Sequence, residues 1–207
     1  MVLSVFAAHA AAAAPSPEAE AARVGETWAY LKYEQGDAPA RLAQVRALGQ
    51  EATALSQAFP TTASFLYWRA QVLCLEAELM YSIESLDRMR EARDLLDKAA
   101  ELDPKSSLIK SLLGSFYYEV PGWPLSYGSG KKAERYLREA LALDPDGMDA
   151  NFFMGDFLLS AGHAAEAMPY LEKAATASDR LPPSRVVAGR RGEIVEAIAK
   201  VRKRLAR

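Results

Sequence analysis

Ala133, Leu137 and Ala140 recur as Ala167, Leu171 and Ala174 at a constant offset of 34. The same small–large–small triad stands earlier as Ala92, Leu96 and Ala99, at an offset of 41, and Leu-Asp-Pro recurs at Leu102–Pro104 and Leu143–Pro145. Spacings of four and three put each triad on one face of a helix. A repeat of this length is one supersecondary unit that cannot bury its apolar face alone, so successive units must stack. Gly114 and Gly155 lie on the helix ahead of two of the triads. Small residues there let the two helices of a hairpin approach closely, and Leu137 and Leu171 fill the volume beside them. Proline pushes the residue before it out of helical φ/ψ, so each Asp-Pro pair ends one helix and can open the next.

A period of this length, with small and large apolar residues at these places, resembles the tetratricopeptide repeat family. The expected fold is an all-α solenoid of helical hairpins with a C-terminal capping helix, forming one domain over residues 20–207 after a leader of 1–19. Its units are read as 20–60, 61–104, 105–145 and 146–179, with the cap at 186–206. The first unit carries Val24, Trp28, Leu31 and Lys32, then Leu42, Val45, Leu48, Ala52 and Leu55, with a break at Gly36–Asp37. In the second, the interval from Ala70 to Ala92 is longer than that from Gly155 to Ala167; the excess is assigned to longer helices. The cap is expected to bury Val195, Ile198, Val201 and Leu205 while turning a polar face to water.

With 207 residues, half of them hydrophobic, the chain can bury a sizeable core. A net charge of −2 argues against a general nucleic-acid binder. Charge is uneven: from Arg185 to Arg207 eight Lys/Arg and two Glu give about +6, leaving about −8 on residues 1–184. Part of this excess suits the C-terminus of a helix. A single cysteine, Cys74, in an apolar helical run, reads as a buried thiol and allows no disulfide or cysteine-based metal site within one chain. No cofactor is expected.

Residues 1–14, MVLSVFAAHAAAAA, are apolar and end in small residues, as in a secretory signal peptide, although no Lys or Arg precedes the run. No cysteine stands beside it to take a lipid anchor, and the run is too short for a membrane span. The expected location is periplasmic or otherwise exported, with a cytoplasmic protein as the alternative.

The third unit carries an insertion. The interval from Gly114 to Ala133 exceeds that from Gly155 to Ala167, and Pro121, Gly122, Pro124, Gly128 and Gly130 make its turn a loop carrying Trp123 and Tyr127. Trp123 either plugs the open end of the hairpin or lines a groove. Helical phase puts Ser111, Ser115 and Tyr118 on one side of their helix and Phe152, Asp156 and Leu159 on the equivalent side of the next repeat, the concave surface of such a solenoid. A groove of aromatic side chains with a few polar groups suits a peptide or an apolar small ligand.

The segment from LLGSFYY through PGWP and KKAERYLREALALDP to NFFMGDFLL resembles the T-component of tripartite ATP-independent periplasmic (TRAP) transporter systems. The resemblance covers roughly residues 60–200 and falls on Tyr117, Tyr118, Pro121, Gly122, Trp123, Pro124, Asn151, Phe152 and Asp156. It implies a non-enzymatic envelope protein that partners the system's solute-binding protein and can form homo-oligomers. Candidate partner-binding residues are Tyr117, Tyr118, Trp123, Tyr127, Phe152 and Asp156. A repeat scaffold with no transport role is the alternative. An enzyme is not expected: the two histidines are His9, in the leader, and His163, in the turn SAGHAAEA, and SYGSGKKA lacks the phosphate-loop pattern. Most acidic residues read as solvated helix surface.

Overall fold

The computed structural model describes residues 15–34, 38–80, 82–122 and 126–207. Among them, helices follow one another as α1 (Pro17–Tyr33), α2 (Ala38–Ala58), α3 (Ala63–Met80), α4 (Ser85–Leu102), α5 (Ser107–Glu119), α6 (Gly130–Leu143), α7 (Met148–Ser160), α8 (Ala164–Ser178) and α9 (Arg185–Leu205). No strand occurs among the described residues. The architecture is all-α, a tetratricopeptide-like helical solenoid. The signal-like run of residues 1–14, the break at Gly36–Asp37, and Trp123 with Pro124 lie outside the described residues. The first helix starts at Pro17, ahead of the 20 read from the sequence. Ser16 accepts a hydrogen bond from the Ala19 amide at 3.3 Å, and Pro17 takes the first helical position, where its missing N–H costs nothing.

Each helix packs on its sequence neighbour, α3 on α4, α5 on α6 and α7 on α8; α1 also packs on α3 and α5 on α7, and all four contribute to one inner cavity. The repeat triads explain why. Ala92, Leu96, Ala99, Ala133, Leu137, Ala140, Ala167, Leu171 and Ala174 are all 0% exposed. A Cβ on Gly114 would stand 2.6 Å from the Leu137 side chain, and one on Gly155 would stand 2.7 Å from Leu171. The hairpins therefore close on a glycine facing a leucine, as the repeat demands. The Asp-Pro pairs end α4 and α6 with Asp103 at φ −131°, ψ 81° and Asp144 at φ −140°, ψ 82°. Ser106 then caps α5 by accepting from the Ile109 amide at 3.3 Å.

The extra length of the second unit goes into its helices: α3 and α4 have 18 residues each, against 13 to 15 in α5 through α8. In the first unit, Val24, Trp28, Leu31, Val45, Leu48 and Ala52 join Val72 and Leu75 of α3 in a separate apolar cluster. The Trp28 indole donates to the Gln71 carbonyl at 3.0 Å, so the buried N–H is satisfied.

The cap buries a different face from the one expected. Arg190, Ile194, Ala197 and Val201 are the buried residues of α9, whereas Val195 is 61% and Leu205 54% exposed. Two apolar phases overlap on this helix, sharing Val201. Close packing selects the one with the small Ala197, and with Arg190, whose charge is met by Asp149. Helix α9 packs on α8 and α7 and also returns to α1. There Gly189 lies against the Tyr33 ring so tightly that a Cβ would fall 2.0 Å from it. Arg185 pairs with Glu34 at 3.0 Å and Glu26 at 3.8 Å, and Lys32 pairs with Glu193 at 3.5 Å. The last helix thus closes the solenoid onto the first.

Candidate functional site

The inner helices and α9 enclose a cavity of about 360 Å³. Trp28 and Lys32 come to it from α1, Cys74 and Glu78 from α3, Ser115 and Glu119 from α5, Phe152, Phe153 and Asp156 from α7, and Arg190, Glu193 and Lys200 from α9. Helical phase accounts for the wall, because Ser115 and Glu119 are one turn apart on α5, as are Phe152 and Asp156 on α7. Apolar side chains (Trp28, Phe152, Phe153) and charged ones (Lys32, Glu78, Glu119, Arg190, Glu193, Lys200) line it together.

Lys32 lies over the Trp28 ring at 5.3 Å and the Tyr33 ring at 5.7 Å, and reaches Glu78 at 3.8 Å. The Arg190 guanidinium stands 4.6 Å from the Phe152 centroid and 4.5 Å from Phe153, donates to Asp149 at 2.7 Å and also bonds Glu193. Burial opposes its charge, but these carboxylates outweigh the loss of hydration and hold its pKa above the ordinary value. Asp156 accepts a hydrogen bond from the Tyr118 hydroxyl at 2.8 Å.

Glu119 is open to the cavity yet ringed by protein. Loss of hydration, with Asp156 and Glu78 nearby, pushes its carboxyl up to about 7 against the pull of Lys32 and Arg190. The Cys74 thiol donates to the Ala70 carbonyl at 3.0 Å, and burial pushes its pKa well up, so it is a poor nucleophile at neutral pH.

Glu119 also fixes a pH dependence. Its folded pKa lies above the ordinary 4.5. As pH rises between about 4.5 and 7 the unfolded chain ionises first, so stability falls through that window and levels off above it. Glu119→Gln is expected to match the wild type near pH 4. At pH 8 it should unfold about 2–4 °C higher, equivalent to about 1 kcal/mol after allowing for solvent screening. Thermal unfolding at the two pH values reads this; equal Tm differences at both would show that Glu119 is not the source.

The candidate residues fall into two groups. Phe152 and Asp156 line the cavity, and Tyr118 touches it through Asp156 and packs on Phe157. Tyr117 and Tyr127 point away from the cavity, toward the outer helices α6 and α4. Tyr117 stacks on Tyr136 with centroids 5.6 Å apart and beneath Lys132; Tyr127 donates to the Met89 carbonyl at 3.0 Å and lies under Arg93. Their work is to hold the inserted loop. Its ends are drawn together by Gly128 N–H donating to the Pro121 carbonyl at 2.9 Å and Ser129 N–H to the Tyr117 carbonyl at 2.7 Å. Only glycine fits at 128, where a Cβ would stand 2.1 Å from the Val120 oxygen.

Lys32, Glu119, Arg190 and Glu193 complete the wall and were not among the candidates. Two were legible: Glu119 shares the phase of Ser115, and Arg190 precedes Ile194, Ala197 and Val201 by four, seven and eleven positions. The ring pairing of Lys32 and the approach of Glu193 depend on α9 meeting α1, a contact between the two ends of the chain that periodicity does not report. His163 is exposed and its Nδ1 lies 2.9 Å from Glu166 of the same turn.

A tetratricopeptide repeat family model matches residues 125–180. A thermophilic tetratricopeptide protein of Thermus thermophilus has a similar crystal structure, with TM-score 0.60 and 18% identity over 88% of this chain and 91% of that chain. A crystal structure of MamA aligns over 90% of this chain and 93% of its own, at 18% identity and TM-score 0.42. No curated protein matches in sequence. The match to a tetratricopeptide repeat over part of the chain agrees with the fold, which is that of the Thermus tetratricopeptide protein.

Proposed function

We propose that this chain is a non-enzymatic binding and assembly module that holds a protein partner at the concave surface. The observation that supports it is the cavity wall. Glu119 and Asp156 come from the successive inner helices α5 and α7 and line the cavity beside Phe152 and Phe153, which suits polar recognition of a partner segment.

The finer reading is a role like that of the TRAP transporter T-component, with the solute-binding protein as partner, an apolar small ligand as a further candidate, a periplasmic location and homo-oligomer formation. Its support is the resemblance through the Pro-Gly-Trp-Pro loop and the signal-like leader. No described helix is long and apolar enough to cross a membrane. A scaffold without a transport role would use the same surface and differ in its partner.

Capture separates the two. Tagged residues 15–207 serve as bait in an envelope extract of the source, as wild type, Asp156→Lys and Trp123→Ala, with bound proteins identified by mass spectrometry. The proposal expects a solute-binding protein that is recovered by the wild type and reduced at least about tenfold by Asp156→Lys, which reverses a charge on the cavity wall. Unrelated proteins lost with the same variant would make the chain a general scaffold. Partners retained by both variants would overturn the concave-surface reading.

A further inference from the structure

The inner cavity is lined by five carboxylates and three basic side chains. Lys32 pairs with Glu78 at 3.8 Å and Glu193 at 3.5 Å, and Arg190 pairs with Glu193 and with Asp149, which lies outside the wall. Lys200 stands one turn from Glu196 on α9. Glu119 and Asp156, on the packed helices α5 and α7, are left with no ion pair among the described residues. They feel each other, since Asp156 opposes ionisation of Glu119. An arriving anion would meet both carboxylates, whereas an arriving cation would relieve both.

Hydrogen bonding points the same way. Gln71 of α3 also lines the cavity and is 6% exposed. Its Nε2 donates to the Tyr67 hydroxyl at 3.0 Å, and its Oε1 accepts from no described group. Asp156 accepts only from Tyr118, at 2.8 Å, and Glu119 from no described group. An amide oxygen on a buried side chain is costly to leave without a donor. Side chains of α3, α5 and α7 thus present acceptors that call for N–H donors, three of which an ammonium carries and five a guanidinium. Leu75, Leu112 and Phe116 of the same wall give apolar contact to a short alkyl stem. At about 360 Å³, the space lies at the small end of ligand pockets, which run from about 300 to 1,000 Å³.

We infer that this cavity is a receptor for one organic cation, an ammonium or guanidinium group on a short alkyl stem, with Gln71, Glu119 and Asp156 as its acceptors. The inference rests on the reading of the concave surface as the binding surface and names the group held there. A lysine or arginine side chain of the protein partner and a free alkylamine bring the same chemistry.

The test titrates the full chain with n-butylammonium, n-butylguanidinium and the uncharged n-pentanol at pH 8, where Glu119 is mostly ionised. Amide and indole N–H chemical shifts are read by NMR, with Trp28 and the amides of α5 and α7 reporting on the wall. Both cations are expected to bind saturably, and pentanol at least about tenfold more weakly. Glu119→Gln and Asp156→Asn keep the volume and leave the Tyr118 hydroxyl an acceptor. Each should weaken the cations at least about tenfold. No saturable binding to the folded wild type, pentanol binding as tightly as the amines, or unchanged affinity in either variant overturns the cation site. Adding n-butylammonium to the captured complex assigns the source. Release of the partner means that its lysine or arginine occupies the cavity, and retention means that a free amine does. If the cations fail to bind while Asp156→Lys still abolishes capture, the cation site alone falls and the partner reading stands.

Discussion

Arg190→Met is expected to lower the unfolding free energy by about 3–5 kcal/mol, a drop in Tm of roughly 10 °C for a chain of this size. Methionine keeps much of the volume and the contact with Phe152 and Phe153, so the loss comes from charge. Asp149 and Glu193 are left facing each other's field without the cation that both of them bond. The companion double variant Arg190→Met with Asp149→Asn should recover part of the loss, because it removes a stranded carboxylate along with its partner. Arg190→Lys should fall between, since one ammonium cannot stack and bridge two carboxylates as the guanidinium does. Thermal unfolding of the three variants at pH 7 checks the order. An Arg190→Met chain as stable as the wild type would mean that α9 is held by its apolar residues alone.

Leu171→Ala is the second large effect, with an expected cost of about 2–5 kcal/mol. Leu171 is wholly buried and lies against Gly155, which has no side chain to move into the space. Leu137 stands in the same relation to Gly114. Repeat proteins behave as sums of unit and interface contributions, so Leu137→Ala should cost the same to within about 1 kcal/mol. Denaturant unfolding followed by circular dichroism measures both. A loss under about 1 kcal/mol at either position would show that the two hairpins are not packed alike.

Much of this molecule was legible in its sequence because a repeat states its packing more than once. The triads, the facing glycines and the Asp-Pro stops fix where helices begin, end and touch, and all are local signals that fit within a single repeat. The inner face followed from the phase of Ser115 and of Phe152 with Asp156. What escaped depends on contacts between the chain's ends. Val195 and Leu205 outweigh Arg190 and Ala197 on any scale of hydrophobicity, yet the latter pair is buried because α7 supplies a carboxylate and two rings, and α1 comes close. Tyr117 on α5 and Tyr127 in the inserted loop pack toward α6 and α4, on Tyr136 and the Met89 carbonyl, contacts that have no periodic signature. Glu119 and Glu193 read as surface because a wet cavity and an outer surface ask for the same residue types.

The most direct test of the concave-surface account is hydrogen exchange on the chain alone and with its captured partner. The account predicts added protection on α5 and α7, with α9 either more exposed or newly protected, and no change on α4, α6 and α8. Protection confined to α4, α6 and α8, with α5 and α7 unaltered, would contradict it.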